Sequence, residues 1–155
     1  MHVLDETNKL LPIRPILMKE HTTNYFDTLI EIAEDSPVKQ AEIPSIKGDQ
    51  KTIAYIQYEL LIDHPYQYTS DDLIFKCHAL RKEIDPVEWQ EARADFFSKG
   101  QACMRASPLT KRYGWGVHSD HSGKIALVAS ESDEYHNLQK DQQVQKVKAM
   151  RSKRS

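Results

Sequence analysis

The sequence predicts an α+β domain with a mostly antiparallel sheet. Three observations carry that expectation. Segments of period two alternate with segments of period three to four, in the order strand, helix, strand, helix, strand, strand, helix. Residues 112–130 read as a hairpin placed at the centre of the sheet. No glycine-rich fingerprint opens a helix and no βαβ unit recurs, which removes the doubly wound parallel class. The 155 residues suit one domain, large enough to bury about two-thirds of its unfolded surface without metal or disulfide. Helices are expected on one face of the sheet.

Residues 1–20 hold two prolines and no clean period, so they predict a poorly ordered extension, with Met18 a credible natural start. The domain proper is expected over 21–150 and a basic tail over 151–155. NYFDTLIEIAED (24–35) alternates, Phe26, Thr28, Ile30 and Ile32 against Asp27, Leu29 and Glu31, and predicts a half-buried strand. Residues 36–51, with two prolines and a glycine among polar residues, predict a loop. In TIAYIQYELLIDHP (52–65) Ile53, Ile56 and Leu60 recur at helical spacing, and His64-Pro65 ends the helix. YQYTSDDLIFKCHALRKEI (66–84) carries two signals. Thr69 and Asp72 have capping-box spacing, but Leu73, Phe75, Cys77 and Ala79 alternate with polar and mixed neighbours, and that alternation predicts a strand. Asp85 as N-cap, Pro86 at the first helical position and Gly100 after the last turn frame the next helix. Tyr113, Trp115 and Val117 then alternate with Gly114, Gly116 and His118. The turn SDHSG leads into the apolar run KIALVAS (124–130), a buried strand. Ser130 and Asp133 have capping-box spacing for a helix to about Gln139, and the remaining tail begins helical.

Charge divides the chain. Residues 1–98 carry 18 acids and 10 bases, whereas residues 99–155 carry 5 acids and 11 bases. Such asymmetry marks a basic surface for an anion, or a basic half that neutralises the acidic half within the fold. No window supplies the roughly 20 apolar residues of a membrane span. Acidic residues near the N-terminus and interrupting prolines argue against a signal peptide. A cytoplasmic setting, with Cys77 and Cys103 as free thiols, is expected.

Chemistry concentrates in RASPLTKRYGWGVHSDHSGK (105–124). With Tyr113, Trp115 and Val117 turned to the core, Gly114 and Gly116 leave a bare groove on the other side of the strand, where a ligand or another backbone can approach closely. Arg105, Lys111 and Arg112 would then hold a phosphate or carboxylate. With Tyr113 and Trp115 turned to solvent, the same residues become stacking platforms beside cations. The bland alternative makes the aromatics core and the cations solvated. Lys148, Arg151, Lys153 and Arg154 would add phosphate contacts from the tail. The leading expectation is therefore a binding module for an anionic partner, nucleic acid or a phosphorylated small molecule. A second is a small enzyme with Cys103 as nucleophile, His118 as base and Asp120 as orienting group. A third is a protein–protein adaptor working through the acidic half. His118, Asp120 and His121 match no metal-ligand spacing, so neither metal nor other cofactor is assigned. Asp71-Asp72 and Glu34-Asp35 suit element boundaries better than acid–base work.

HTTNYFDTLIEIAEDSPVK, PYQYTSDDLIF, the block RASPLTKRYGWGVHSDHSGKIALVASESDEY and the ending VKAMRSKR together resemble a family of small bacterial proteins classed as a domain of unknown function. The resemblance covers about residues 21–154. It implies a single domain in a bacterial cytoplasm and no agreed activity, cofactor or catalytic residue.

Overall fold

The computed structural model of the protein describes residues 20–46 and 48–153, together with the backbone of two short strands, His2–Leu4 (β1) and Leu10–Pro12 (β2), which pair antiparallel. The rest of the extension expected over 1–20 lies outside the described residues, as do Arg154 and Ser155 of the expected tail.

The main sheet is built from β3 (Thr28–Glu31), β4 (Tyr68–Thr69), β5 (Trp115–Ser119), β6 (Lys124–Ala129) and β7 (Gln145–Lys148). Its spatial order is β4-β6-β5-β3-β7, antiparallel except where β7 runs parallel to β3. The fold is α+β, and the β5–β6 hairpin sits at its centre as the turn chemistry implied. Asp120 Oδ1 accepts from the Ser122 and Lys124 N–H groups, and Gly123 takes φ +84°, the left-handed position that closes such a turn.

Side-chain alternation in the strands divides the core. On one face Ile30, Val117 and Ile125 pack with Ala54 and Leu61 of α1 (Ile53–Ile62), Leu73 of α2 (Ser70–Arg81) and Leu109 of α4 (Pro108–Lys111). On the other face Leu29, Val128 and Val144 pack with Tyr135 of α5 (Asp133–Lys140). Helices thus cover both faces rather than one. With no face left wet, strand β3 is buried on both sides. A third cluster joins Phe75 and Ala79 of α2 to Phe97, just past α3 (Trp89–Phe96).

Local chemistry explains the boundaries. Thr52 caps α1 through the Tyr55 N–H, and Asp63 closes it. Residues 70–81 form helix α2, not the expected strand. The Thr69–Asp72 capping box is complete: the Thr69 hydroxyl accepts from Asp72 N–H, and the Asp72 carboxylate accepts from Thr69 N–H. Burial pushes the Asp72 carboxyl up, but the Thr69 N–H and the Arg93 guanidinium outweigh it and hold the group below its usual value. Asp85 caps a single 3-10 turn, Pro86–Glu88, before α3 begins, and that helix closes at Phe97 rather than Gly100. Ser132, not Ser130, caps α5. The C-terminal segment expected as helix is strand β7 instead, with Gln145 N–H donating to Asp27 and Ala149 N–H to Glu31.

Candidate functional site

The block RASPLTKRYGWG is first of all structural. Ser107 is buried; its hydroxyl donates to Gln57 Oε1 at 2.6 Å and accepts from Leu109 N–H at 3.1 Å, capping α4 with Pro108 at its first position. Thr110 is fully buried and donates to the Met104 carbonyl at 2.7 Å. Trp115 packs against Tyr58 with ring centroids 5.7 Å apart, and its indole N–H donates to the Glu42 carbonyl at 2.8 Å. Tyr113 lies beside the same cluster, and its carbonyl accepts from Glu42 N–H. Both aromatics are partly buried packing groups, not free stacking platforms.

The glycine groove is likewise not bare. A Cβ on Gly114 would sit 2.4 Å from the Gln40 carbonyl oxygen, and one on Gly116 would sit 2.6 Å from the Tyr135 ring. The chain fills its own groove, with the 39–42 segment over one glycine and α5 over the other. A glycine in a strand marks close approach, and here the approaching groups are another backbone and a ring of the same molecule.

The cations fare differently. Met150 N–H donates to the Arg105 carbonyl, and Arg105 Nε donates to the Lys148 carbonyl at 2.7 Å. Ala33 N–H donates to Thr110, the residue before Lys111 and Arg112, and Ala149 N–H donates to Glu31. Ser152 and Lys153 N–H groups donate to the Asp35 carboxylate, which those bonds, that of Lys153 first, hold below its usual range. Segments 105–112 and 148–153 therefore meet along residues 31–35. These backbone contacts bring the segments that carry Arg105, Lys111, Arg112, Lys148, Arg151 and Lys153 alongside the segment that carries Glu31, Glu34 and Asp35.

Cys103, His118 and Asp120 are not brought together. His118 points to the α5 face, where the Tyr66 hydroxyl meets its Nδ1 at 2.7 Å. Burial lowers its pKa, against the pull of Asp120, Glu134, Asp27 and Asp141, so the ring is neutral at pH 7. Asp120 is spent on the hairpin turn. Cys103 lies across the sheet, on the side of α1 and α2, with the Tyr25 hydroxyl 3.8 Å from its sulfur. His121 pairs with Asp27 at 3.0 Å, which raises its pKa. Among the described residues no three His, Cys, Asp or Glu side chains converge as metal ligands.

Cys103 instead borders a concavity of about 300 Å³ between α1, α2, the end of α3 and the 101–108 segment. Its walls are apolar at Ile53, Ile74, Phe96, Ala102 and Pro108, and polar at Gln57, His78, Arg81, Gln101 and Ser107. Both cysteines line it. Burial pushes the Cys77 thiol up to about 11, with Arg81 pulling weakly the other way. Burial, then the charges of Lys82 and Arg81, lower the pKa of His78, whose ring stacks on Phe96 at 4.4 Å. A second concavity, beside Glu88, Glu91 and Asp95, carries acidic walls. Sequence reasoning missed His78, Arg81 and Gln57. Reading 66–84 as a strand hid the helical face that brings Cys77, His78 and Arg81 together; the capping box at Thr69 was the signal that could have found it.

No curated protein and no solved structure matches the chain. A family model described as a family of unknown function, DUF6157, matches residues 20–155. That match spans the five-stranded sheet, helices α1 to α5 and the concavity, and the chain belongs to this family.

Proposed function

We propose that the protein binds an anionic macromolecule, nucleic acid by its chemistry, through the basic end where segment 105–112 meets segment 148–153. The observation that supports this is that two remote stretches, carrying six cations between them, meet along segment 31–35, which carries three carboxylates. Surface cations held by backbone bonds suit repeated phosphates, because each neutralised phosphate releases a counterion. Tyr113 and Trp115 are engaged in packing, so this reading assigns them no stacking on bases. Contact is then with phosphates and insensitive to sequence. A phosphorylated small molecule fits this edge less well, since neither described concavity lies there. Two free thiols fit a cytoplasmic setting.

The test is fluorescence anisotropy of a labelled oligonucleotide duplex. An excess of about three charges predicts a log–log salt slope near −2.7, hence about a 40-fold weakening between 50 and 200 mM salt. The triple variant Arg112→Ala, Lys148→Ala, Arg151→Ala should abolish binding with the fold intact. Absence of binding at roughly 50 mM salt, where such contacts are strongest, refutes the proposal.

A further inference from the structure

A second site stands apart from the basic edge. We propose that the concavity between α1, α2 and the 101–108 segment binds a small amphipathic anion, its apolar body against Ile53, Ile74, Phe96 and Pro108 and its carboxylate or phosphate monoester on Arg81.

Size, wall chemistry and charge each point to that class. About 300 Å³ is the lower end of ordinary ligand cavities and roughly ten water volumes of about 30 Å³ each. An aromatic acid or a short acyl chain fills it; a nucleotide with its full phosphate chain does not. The walls combine aliphatic and aromatic carbon with a few polar groups, the usual pattern for orienting a small molecule. Ile53 remains 38% exposed, leaving apolar surface that a ligand would cover.

Charge is one-sided. Arg81 is the one Lys or Arg in the lining, and no carboxylate lines the cavity. Among the described residues Arg81 makes no ion pair. Arg81 itself lines the cavity, in the same stretch of α2 as the lining residues Cys77 and His78. A planar guanidinium matches a carboxylate or phosphate through two parallel hydrogen bonds. The neutral His78 imidazole, fixed by stacking on Phe96, supplies an adjacent polar group without a second charge. Gln57 and Ser107 are already bonded to each other at 2.6 Å and form a closed polar floor.

The test uses 2-naphthoate, 1-naphthyl phosphate and neutral 2-naphthol as probes in calorimetric titrations of the whole chain. Saturable binding of either anion, at least ten-fold tighter than naphthol, is expected. Arg81→Gln should erase that preference while leaving naphthol binding unchanged. Ala102→Trp, at an exposed lining position, should block all three probes without unfolding the protein, as checked by circular dichroism. The bound anion should also slow alkylation of Cys103, located by peptide mass spectrometry, because Cys103 is the more exposed of the two lining thiols. Arg112→Ala should change none of these results, which separates this site from the basic edge. Failure of both anions to bind the folded chain overturns the proposal. So does an anion preference that survives Arg81→Gln, or Cys103 alkylation at the same rate with saturating probe.

Discussion

Replacing Gly114 by alanine tests whether the chain itself fills the groove beside the central hairpin. Gly114 has φ +76°, where a Cβ costs about 1–2 kcal/mol by backbone conformation alone. The new methyl would also lie 2.4 Å from the Gln40 carbonyl oxygen and 3.0 Å from the Ala41 nitrogen. Backbone is a wall that cannot rotate aside, so segment 39–42 must move. That segment is tied down by Glu42 N–H to the Tyr113 carbonyl and by the Trp115 indole to the Glu42 carbonyl, each 2.8 Å long. Losing both adds about 2 kcal/mol at roughly 1 kcal/mol per bond. The total is about 3–4 kcal/mol, or about 6–16 °C in Tm for a chain of this size. Gly48→Ala is the internal control, because its φ is +62° but no atom lies within 4 Å of the added methyl. It should cost only the conformational part. Urea unfolding followed by tryptophan fluorescence measures both variants. Equal costs for Gly114→Ala and Gly48→Ala would show that no backbone presses on Gly114, and the groove would be open after all.

Other perturbations give equally direct readings. Ser107→Ala removes the α4 cap and leaves Gln57 buried without its donor, so it should cost about 2–3 kcal/mol in chemical denaturation. Asp71→Ala deletes the acceptor of Thr22 Oγ1, Thr23 N–H and Thr23 Oγ1; a loss of about 2 kcal/mol is expected, with faster proteolysis near residues 20–24. His118 is neutral in the fold with a lowered pKa, so its stabilising contribution is full above about pH 6.5, the unfolded value, and is lost as pH falls through the folded pKa. His118→Gln should therefore flatten the decline in Tm on acidification from pH 7.5 to pH 5. His121, raised by Asp27, works in the opposite sense, and His121→Gln should remove stability present at low pH only.

Elements whose signal is local were legible. The hairpin followed from alternation and a glycine-closed turn, and α1 from its apolar spacing and the His64-Pro65 stop. Helix α2 was hidden because it is buried on more than one side. Leu73 and Ile74 face the sheet cluster, Phe75 and Ala79 face α3, and Cys77 and His78 line the concavity. A helix wedged between three neighbours has no single apolar stripe, and its buried positions mimic an alternation of period two. Strand β7 was hidden for a different reason. It is an edge strand with lysines at 146 and 148, and its partner β3 lies at the far end of the chain. Only that long-range parallel pairing makes it a strand. The glycines at 114 and 116 announced a close approach correctly, but nothing local distinguishes a ligand from the chain's own loop.

The same pairing explains why charge was legible in composition and illegible in place. The segments 105–112 and 148–153 that carry the cations are far apart in sequence, and they meet because β7 lies alongside β3 and carries the C-terminal residues past Glu31 to Asp35. Segment 101–112 then serves two surfaces at once. Arg105 and Lys111 belong to the basic edge, while Cys103, Ala106 and Pro108 border the concavity. Ser107, Thr110 and Gly114 fix the chain between them through buried bonds and a close backbone contact. A stretch that must satisfy a cap, a buried hydroxyl, a glycine contact and two surfaces has little freedom in composition. The two surfaces draw their remaining charge from different elements, Arg81 from α2 and Lys148 and Arg151 from β7 and its extension. Substitutions at Arg81 and at Arg151 should therefore act independently, and coupling between them in a double-mutant cycle would mean that one ligand spans both surfaces.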